Sequence, residues 1–280
     1  MNYHTNNSHV ESATLLVKNL AKMTNFYTQI IGLKQISQAE NQVNLGAGNK
    51  ILLTLKTHKN VTLKQTPTQG LYHIAFLLPT RENLARILYN LMIKQVELQG
   101  LSDHGVSEAI YLADPENNGI ELYVDRVREE WPLNENGEIE MFTERLNYVS
   151  LLSTVKTPGF NGFDDEAILG HLHLNVSEIK NPTNFFVNLL NFEIQQNLYD
   201  TALFVSTNNY HHHIAFNTWS YFAPLQEENQ TGLISYKIKT NKESLEKIVS
   251  KLTLANYEFK IENNMLTTKD TNNTTVEIYY

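Results

Sequence analysis

The chain has 280 residues, 41% hydrophobic and 19% charged, enough apolar material for one large core or two modest ones and too much for a disordered chain. It has no cysteine, which excludes disulfides, thiolate metal sites and a cysteine nucleophile. A net charge of −8 without a dense Lys/Arg patch argues against nucleic acid and anionic membrane as partners. No apolar run has the length of a membrane span, and the opening MNYHTNNSHVESA lacks the basic, apolar and cleavage regions of a secretory signal, so the reading is a cytoplasmic protein.

The first predicted element is an apolar strand, SATLLV from Ser12, followed by a helix on which Leu20, Met23, Phe26, Tyr27, Ile30 and Ile31 recur at helical spacing. This pattern returns 159 residues later. TNFYTQIIGL at 24–33 matches TNFFVNLLNF at 183–192, where Pro182 suits a first helical turn and Phe185, Phe186, Leu189 and Leu190 form the apolar stripe. A second pair of copies runs from GLYHIAFLLPTRENLARILYNLM (70–92) to GLISYKIKTNKESLEKIVSKLT (232–253), the latter with Thr240 and Glu243 in a capping-box pattern. Their ends also agree: DPENNGIELYV at 114–124 and DTNNTTVEIYY at 270–280.

The chain therefore reads as four tandem βαβββ units at 8–56, 70–125, 168–217 and 231–280, with Gly- and Asn-rich turns between the short strands. The expected class is α+β, with the four units forming two cup-shaped mixed sheets. The connector from about 125 to 167 is longer than a usual loop, so it is expected to cross between units or to cover a site.

A repeat lets equivalent positions be compared within one chain. The same first-strand slot holds Ser12, His73, His171 and Ser235, and the last strands of units two and four carry Glu121 and Glu277. Strand side chains alternate faces, so one slot per strand projects to one side of a curved sheet. Two histidines and one carboxylate form the facial triad of non-haem Fe(II) sites. Pairing units two and three collects His73, His171 and Glu121, a full triad. Pairing one and four collects Ser12, Ser235 and Glu277, which makes a metal-free cup, and pairing in chain order leaves one histidine per cup. The two-with-three pairing is preferred. Glu277 is read as an exposed C-terminal carboxylate, and His173, on the same face as His171, as packing beside the triad. For Trp131, Trp219 and Phe160, ordinary core packing is preferred over a substrate wall.

Residues 104–121, HGVSEAIYLADPENNGIE, carry the densest motif. With His104, Tyr111, Asp114, Pro115 and Glu121 it resembles the signature of type I extradiol ring-cleavage dioxygenases of the vicinal oxygen chelate superfamily, which also holds glyoxalase I and bleomycin-resistance proteins. The likeness covers nearly the whole chain and runs to the bacterial catechol-2,3-dioxygenase-like group. Ser102 and Asn117 depart from the usual pattern, and the second His and the Glu sit in unit two rather than in the last unit. The resemblance implies Fe(II), with Mn(II) an acceptable substitute, held by His73, His171 and Glu121. His104 and Tyr111 would contact substrate or oxygen. YHHHIAF matches a His-His-Thr-Ile-Ala strand of that family, which implies His212 as the catalytic acid/base and His211 as the next candidate. On a regular strand His211 and His213 face one way and His212 the other, so the three cannot share one site without an irregularity.

The function expected is Fe(II)-dependent extradiol cleavage of a catechol-type ring, with a small aromatic diol and O₂ as partners. Competing readings are a glyoxalase-like metal-dependent isomerase or transferase and a non-enzymatic bleomycin-resistance-type binding protein. Oligomeric state is left open, a homo-oligomer being allowed.

Overall fold

The computed structural model describes residues 8–156, 159–220 and 222–280; residues 1–7, the start of the segment read above for a targeting signal, lie outside the described residues. In chain order the strands are β1 (His9–Leu16), β2 (Lys34–Ala39), β3 (Gln42–Ala47), β4 (Lys50–Lys56), β5 (Gly70–Leu77), β6 (Gly100–Asp103), β7 (Ser107–Ala113), β8 (Gly119–Asp125) and β9 (Glu144–Arg145). They continue as β10 (Ile168–Asn175), β11 (Glu193–Asn197), β12 (Ala202–Ser206), β13 (Ile214–Asn217), β14 (Gly232–Lys239), β15 (Phe259–Glu262), β16 (Met265–Lys269) and β17 (Thr275–Tyr279). The strands form two sheets, ordered β15-β16-β17-β14-β1-β4-β3-β2 and β11-β12-β13-β10-β5-β8-β7-β6-β9. Both are mixed. β5/β8, β10/β13 and β14/β17 run parallel, while hairpin neighbours run antiparallel. A parallel pair needs a crossover, and the helix of each repeat supplies part of it. The class is α+β, as expected.

Slot equivalence holds to the residue. Ser12, His73, His171 and Ser235 are each the fourth residue of an eight-residue strand. The first and third helices of the repeat also match in an unexpected way. Leu20–Asn25 is α-helical and then widens into π-type turns over Phe26–Ile31; Lys180–Pro182 widens likewise over Thr183–Leu189. The other two helices, Arg81–Ile93 and Lys242–Leu254, are regular. Thr80 caps the former by accepting from the Asn83 N–H. The capping box expected at Thr240 and Glu243 is displaced by one residue: Asn241 is the cap and accepts from the Ser244 N–H, because Thr240 still bonds through its own N–H to Tyr279 O in the sheet. Among the described residues no helix is long and apolar enough to cross a membrane.

The chain divides into two compact units. One holds the described residues up to Leu16, Thr62–Tyr72 and Gly170–Tyr280. Its aromatic core includes Phe185, Phe186 and Phe216, the last two with ring centroids 4.8 Å apart. The other holds Val17–Val61 and His73–Leu169. There Leu84, Leu88 and Leu91 give the helix Arg81–Ile93 its buried stripe. Arg81 and Arg126 both pair with the buried carboxylate of Glu108, which keeps that charge from being stranded in the interior.

Each unit contains one copy of an aspartate clamp, and this explains the match between DPENNG and DTNNTT. Asp114 Oδ1 accepts from the N–H groups of Glu116 and Asn118, and Tyr27 donates its hydroxyl to Oδ2. Asp270 Oδ1 accepts from Asn272 and Thr274, and Tyr236 donates to Oδ2. The Asp-Pro of the sequence motif is thus a pin for a turn. Burial raises the Asp114 carboxyl above its ordinary value and pushes that of Asp270 from 3.8 to about 6, against the hydrogen bonds both accept.

A raised carboxyl pKa favours the fold fully below 3.8, and the benefit is lost as pH rises through 6. Asp270→Asn keeps the shape and removes the ionisation. Urea unfolding at pH 4.5 and pH 7 should show the variant gaining on the parent by on the order of 2 kcal/mol as pH rises. A difference between the two proteins that does not change with pH would show that Asp270 does not titrate as described.

Candidate active site

Glu121 is the third residue of β8 and lies opposite Ala75 on β5 and Tyr111 on β7. His73 precedes Ala75 by two residues, so His73, Ala75, Glu121 and Tyr111 share one sheet face. Ala75, Ala109 and Tyr123 form a buried cluster on that face with Tyr111 packed against it, the two alanines leaving room for larger neighbours. His73 Nε2 and Glu121 Oε2 are 2.9 Å apart, with only 8% and 4% of their side chains exposed. A carboxyl group so buried needs a hydrogen-bond donor or a cation beside it.

The ligand atoms of His73, Glu121 and His171 all lie within 4.8 Å of one another, and no other group of three metal-type side chains meets that condition among the described residues. Two imidazole nitrogens and one carboxylate oxygen are the donor set of a facial-triad Fe(II) site. Two donors each about 2 Å from one ion, at right angles, stand about 3 Å apart. The 2.9 Å between His73 and Glu121 fits that requirement.

On the same face as Glu121, Tyr111 and His104 form a fixed pair. His104 Nδ1 lies 2.8 Å from the carbonyl of Phe142, which can only accept, so Nδ1 carries the hydrogen. Nε2 of the neutral ring then accepts from the Tyr111 hydroxyl at 2.7 Å. Phe142 belongs to the long connector, whose strand β9 adds to β6 through Ser102 and Arg145. The connector therefore reaches one of the site residues expected from sequence, as a covering segment should.

Around His171 the structure resolves the problem of three consecutive histidines. β13 begins only at Ile214, so His211, His212 and His213 lie outside any strand and need not alternate. Asn208 and Asn209 both adopt positive φ, a conformation asparagine tolerates better than most residues, and the chain turns sharply before the histidines. The ring of His212 lies 4.1 Å from that of His171, centroid to centroid, and that of His211 6.4 Å. Nδ1 of His211 and Nδ1 of His212 are 2.8 Å apart, so one donates to the other. His213 Nδ1 instead accepts from the Thr207 N–H. His173 is held by Asn217, whose Nδ2 donates to His173 Nε2 at 2.9 Å; it is not part of the three-donor group.

Among the described residues the serine slots gather no metal-type group. Glu277 is not the exposed carboxylate expected: its side chain is 25% exposed and 3.4 Å from Lys237 Nζ, opposite it on the neighbouring strand. Sequence reasoning missed Ala75, Ala109 and Tyr123, although their two-residue spacing from His73, Tyr111 and Glu121 was the signal that places them on the site face.

Residues 8–122 match the model of the Glyoxalase/Bleomycin resistance protein/Dioxygenase superfamily. Catechol-2,3-dioxygenase of Bacillus subtilis (strain 168) is 34% identical over 268 residues, covering 94% of this chain and 94% of that protein. The chain belongs to the glyoxalase/bleomycin resistance/dioxygenase superfamily. Its likeness within that superfamily runs to the dioxygenases. Biphenyl-2,3-diol 1,2-dioxygenase 3 of Rhodococcus globerulus is 31% identical over 121 residues, 40% of this chain and 60% of that one. The superfamily fold is seen in glyoxalase I from Zea mays, at TM-score 0.58 and 13% identity over 99% of this chain and 94% of that one. A solved structure from Bacillus subtilis has TM-score 0.64 at 12% identity, over 96% of this chain and 84% of that one. Members of the dioxygenase branch are metal enzymes, and the buried His-Glu-His group suits that role.

The His104–Tyr111 pair makes a direct prediction. Nitrogen-15 NMR should find His104 in the Nδ1–H form with a hydrogen-bonded Nε2, and Tyr111→Phe should shift the Nε2 resonance toward that of an unbonded imidazole. A dominant Nε2–H form in the parent protein would contradict the geometry.

Proposed function

We propose that this protein opens a catechol-type ring beside its hydroxyl pair with O₂, using Fe(II) held by His73, His171 and Glu121. The observation that carries the reading is the closeness of three buried donors of the right types, within 4.8 Å, in a chain 34% identical to a catechol-2,3-dioxygenase over almost its whole length. Mn(II) takes the same donors. Repeats two and three are assigned the ligands and repeats one and four a supporting role.

When bound, the ion offers adjacent positions for the two diol oxygens and couples the electron-rich ring to dioxygen. The remaining work falls to the chain. The Glu121 carboxylate offsets positive charge in a site from which water is excluded. Tyr111, fixed by His104 Nε2, presents a phenol at the ligand face, and His104 is itself anchored by Phe142 O, so a proton leaving Tyr111 has a prepared acceptor. His212, beside His171 and engaged through Nδ1 by His211, is assigned proton transfer at Nε2. His211 is assigned the task of holding that ring.

Anaerobic loading with Fe(II), then catechol and air, should give a yellow ring-fission product. Catechol left intact by protein with iron measured in place would sink the reading. His73→Ala and Glu121→Ala should bind less than a tenth of an equivalent of iron by elemental analysis. His212→Phe should keep its iron and lose about 10²–10⁴-fold in kcat. Loss of iron from His212→Phe instead would remove its assignment to proton transfer.

A further inference from the structure

Two large aromatic side chains stand open to solvent one step along the sheet from His171. Tyr72 is 41% and Trp219 55% exposed, and their rings meet edge to face at 5.4 Å. Core packing, the reading preferred from sequence, therefore fails for Trp219, whereas Trp131 obeys it: it is buried and bonds through Nε1 to Arg126 O. Both open rings lean on His173, at 5.0 Å from Tyr72 and 5.5 Å from Trp219.

His173 is two residues beyond His171 on β10, about 7 Å along the strand and on the same face. Its neighbour in the next strand is Ala215, and beyond that Phe204, whose ring lies 6.1 Å from His173 and 5.2 Å from His212. The row is thus a small residue flanked by two flat rings, running from beside His171 and His212 to the open pair, whose rings form its exposed end. The exposed end is held by one side chain. Asn217 Oδ1 accepts from the Trp219 N–H, and the same amide donates through Nδ2 to His173 Nε2, so one side chain sets the position of both rings. That bond fixes the orientation of the His173 ring against Asn217.

We propose that Tyr72, His173 and Trp219 form a subsite for an aryl substituent on the diol, so that two-ring catechols are preferred over plain catechol and over ring carboxylates. This rests on the ring-cleavage reading for its substrate and deepens it. Edge-to-face contacts with flat rings favour an aromatic substituent over a flexible polar one. A carboxylate set against these ring edges would lose water that flat apolar rings do not replace.

The subsite is tested first without chemistry. 4-Phenylphenol, which lacks the diol, should quench the fluorescence of the intact protein, and Trp219→Phe should remove most of the quenching, since Trp131 is the sole other tryptophan. The iron-loaded enzyme should then favour 4-phenylcatechol over catechol by tenfold or more in kcat/KM, and 3,4-dihydroxybenzoate should gain nothing over catechol. Trp219→Ala and Tyr72→Ala should each lower the 4-phenylcatechol to catechol ratio about tenfold, through KM, with Trp219→Phe recovering most of it. Equal ratios in parent and variants, or a preference for the carboxylate, would overturn the subsite. Quenching by 4-phenylphenol with no diol cleaved would leave the subsite standing and sink the ring-cleavage reading instead.

Discussion

A carboxylate hidden from water is the constraint around which this molecule is arranged. Glu121 sits in the middle of a sheet with an alanine on one side and a tyrosine on the other, a placement that a hydrogen-bond donor or a cation must offset. His73 meets it at 2.9 Å, and His171 brings a second imidazole to the same few ångströms. The burial that makes the charge costly is also what would make a metal held there strongly polarising, since screening by water is weak.

Much of this was legible because the chain repeats. One strand slot, compared across four copies, separated two histidines from two serines, and the structure puts all four at the same place in strands of equal length. The α+β class and the mixed sheets followed from the same comparison, and the structure adds that the first and last strands run parallel in units two, three and four. What stayed hidden depended on backbone detail. A strand rule applied to YHHHIAF predicts alternation, but the paired left-handed asparagines before it end the regular geometry, and His211 and His212 come to bond each other. The widening of two helices into π-type turns had no signal beyond the similarity of the two segments. The fate of Trp219 turned on a loop contact with Asn217 that no periodicity encodes.

The repeats have kept their scaffold better than their chemistry. The aspartate clamps at Asp114 and Asp270 agree bond for bond in their backbone contacts, each with a buried tyrosine hydroxyl on the second oxygen. Turn pinning is needed wherever a last strand must enter beside a first strand, whatever the face carries. The ligand slots answer to a different demand and have diverged to serine in the first and fourth copies.

The serine pair has an implication for engineering. Ser12 lies opposite Lys237, and Ser235 opposite Thr14, in adjoining strands, with Glu277 on the strand beyond and already tethered to Lys237. Histidines written at 12 and 235, with a neutral residue at 237 to free Glu277, would set the donor types of the His73–Glu121–His171 group on the matching slots of the other sheet.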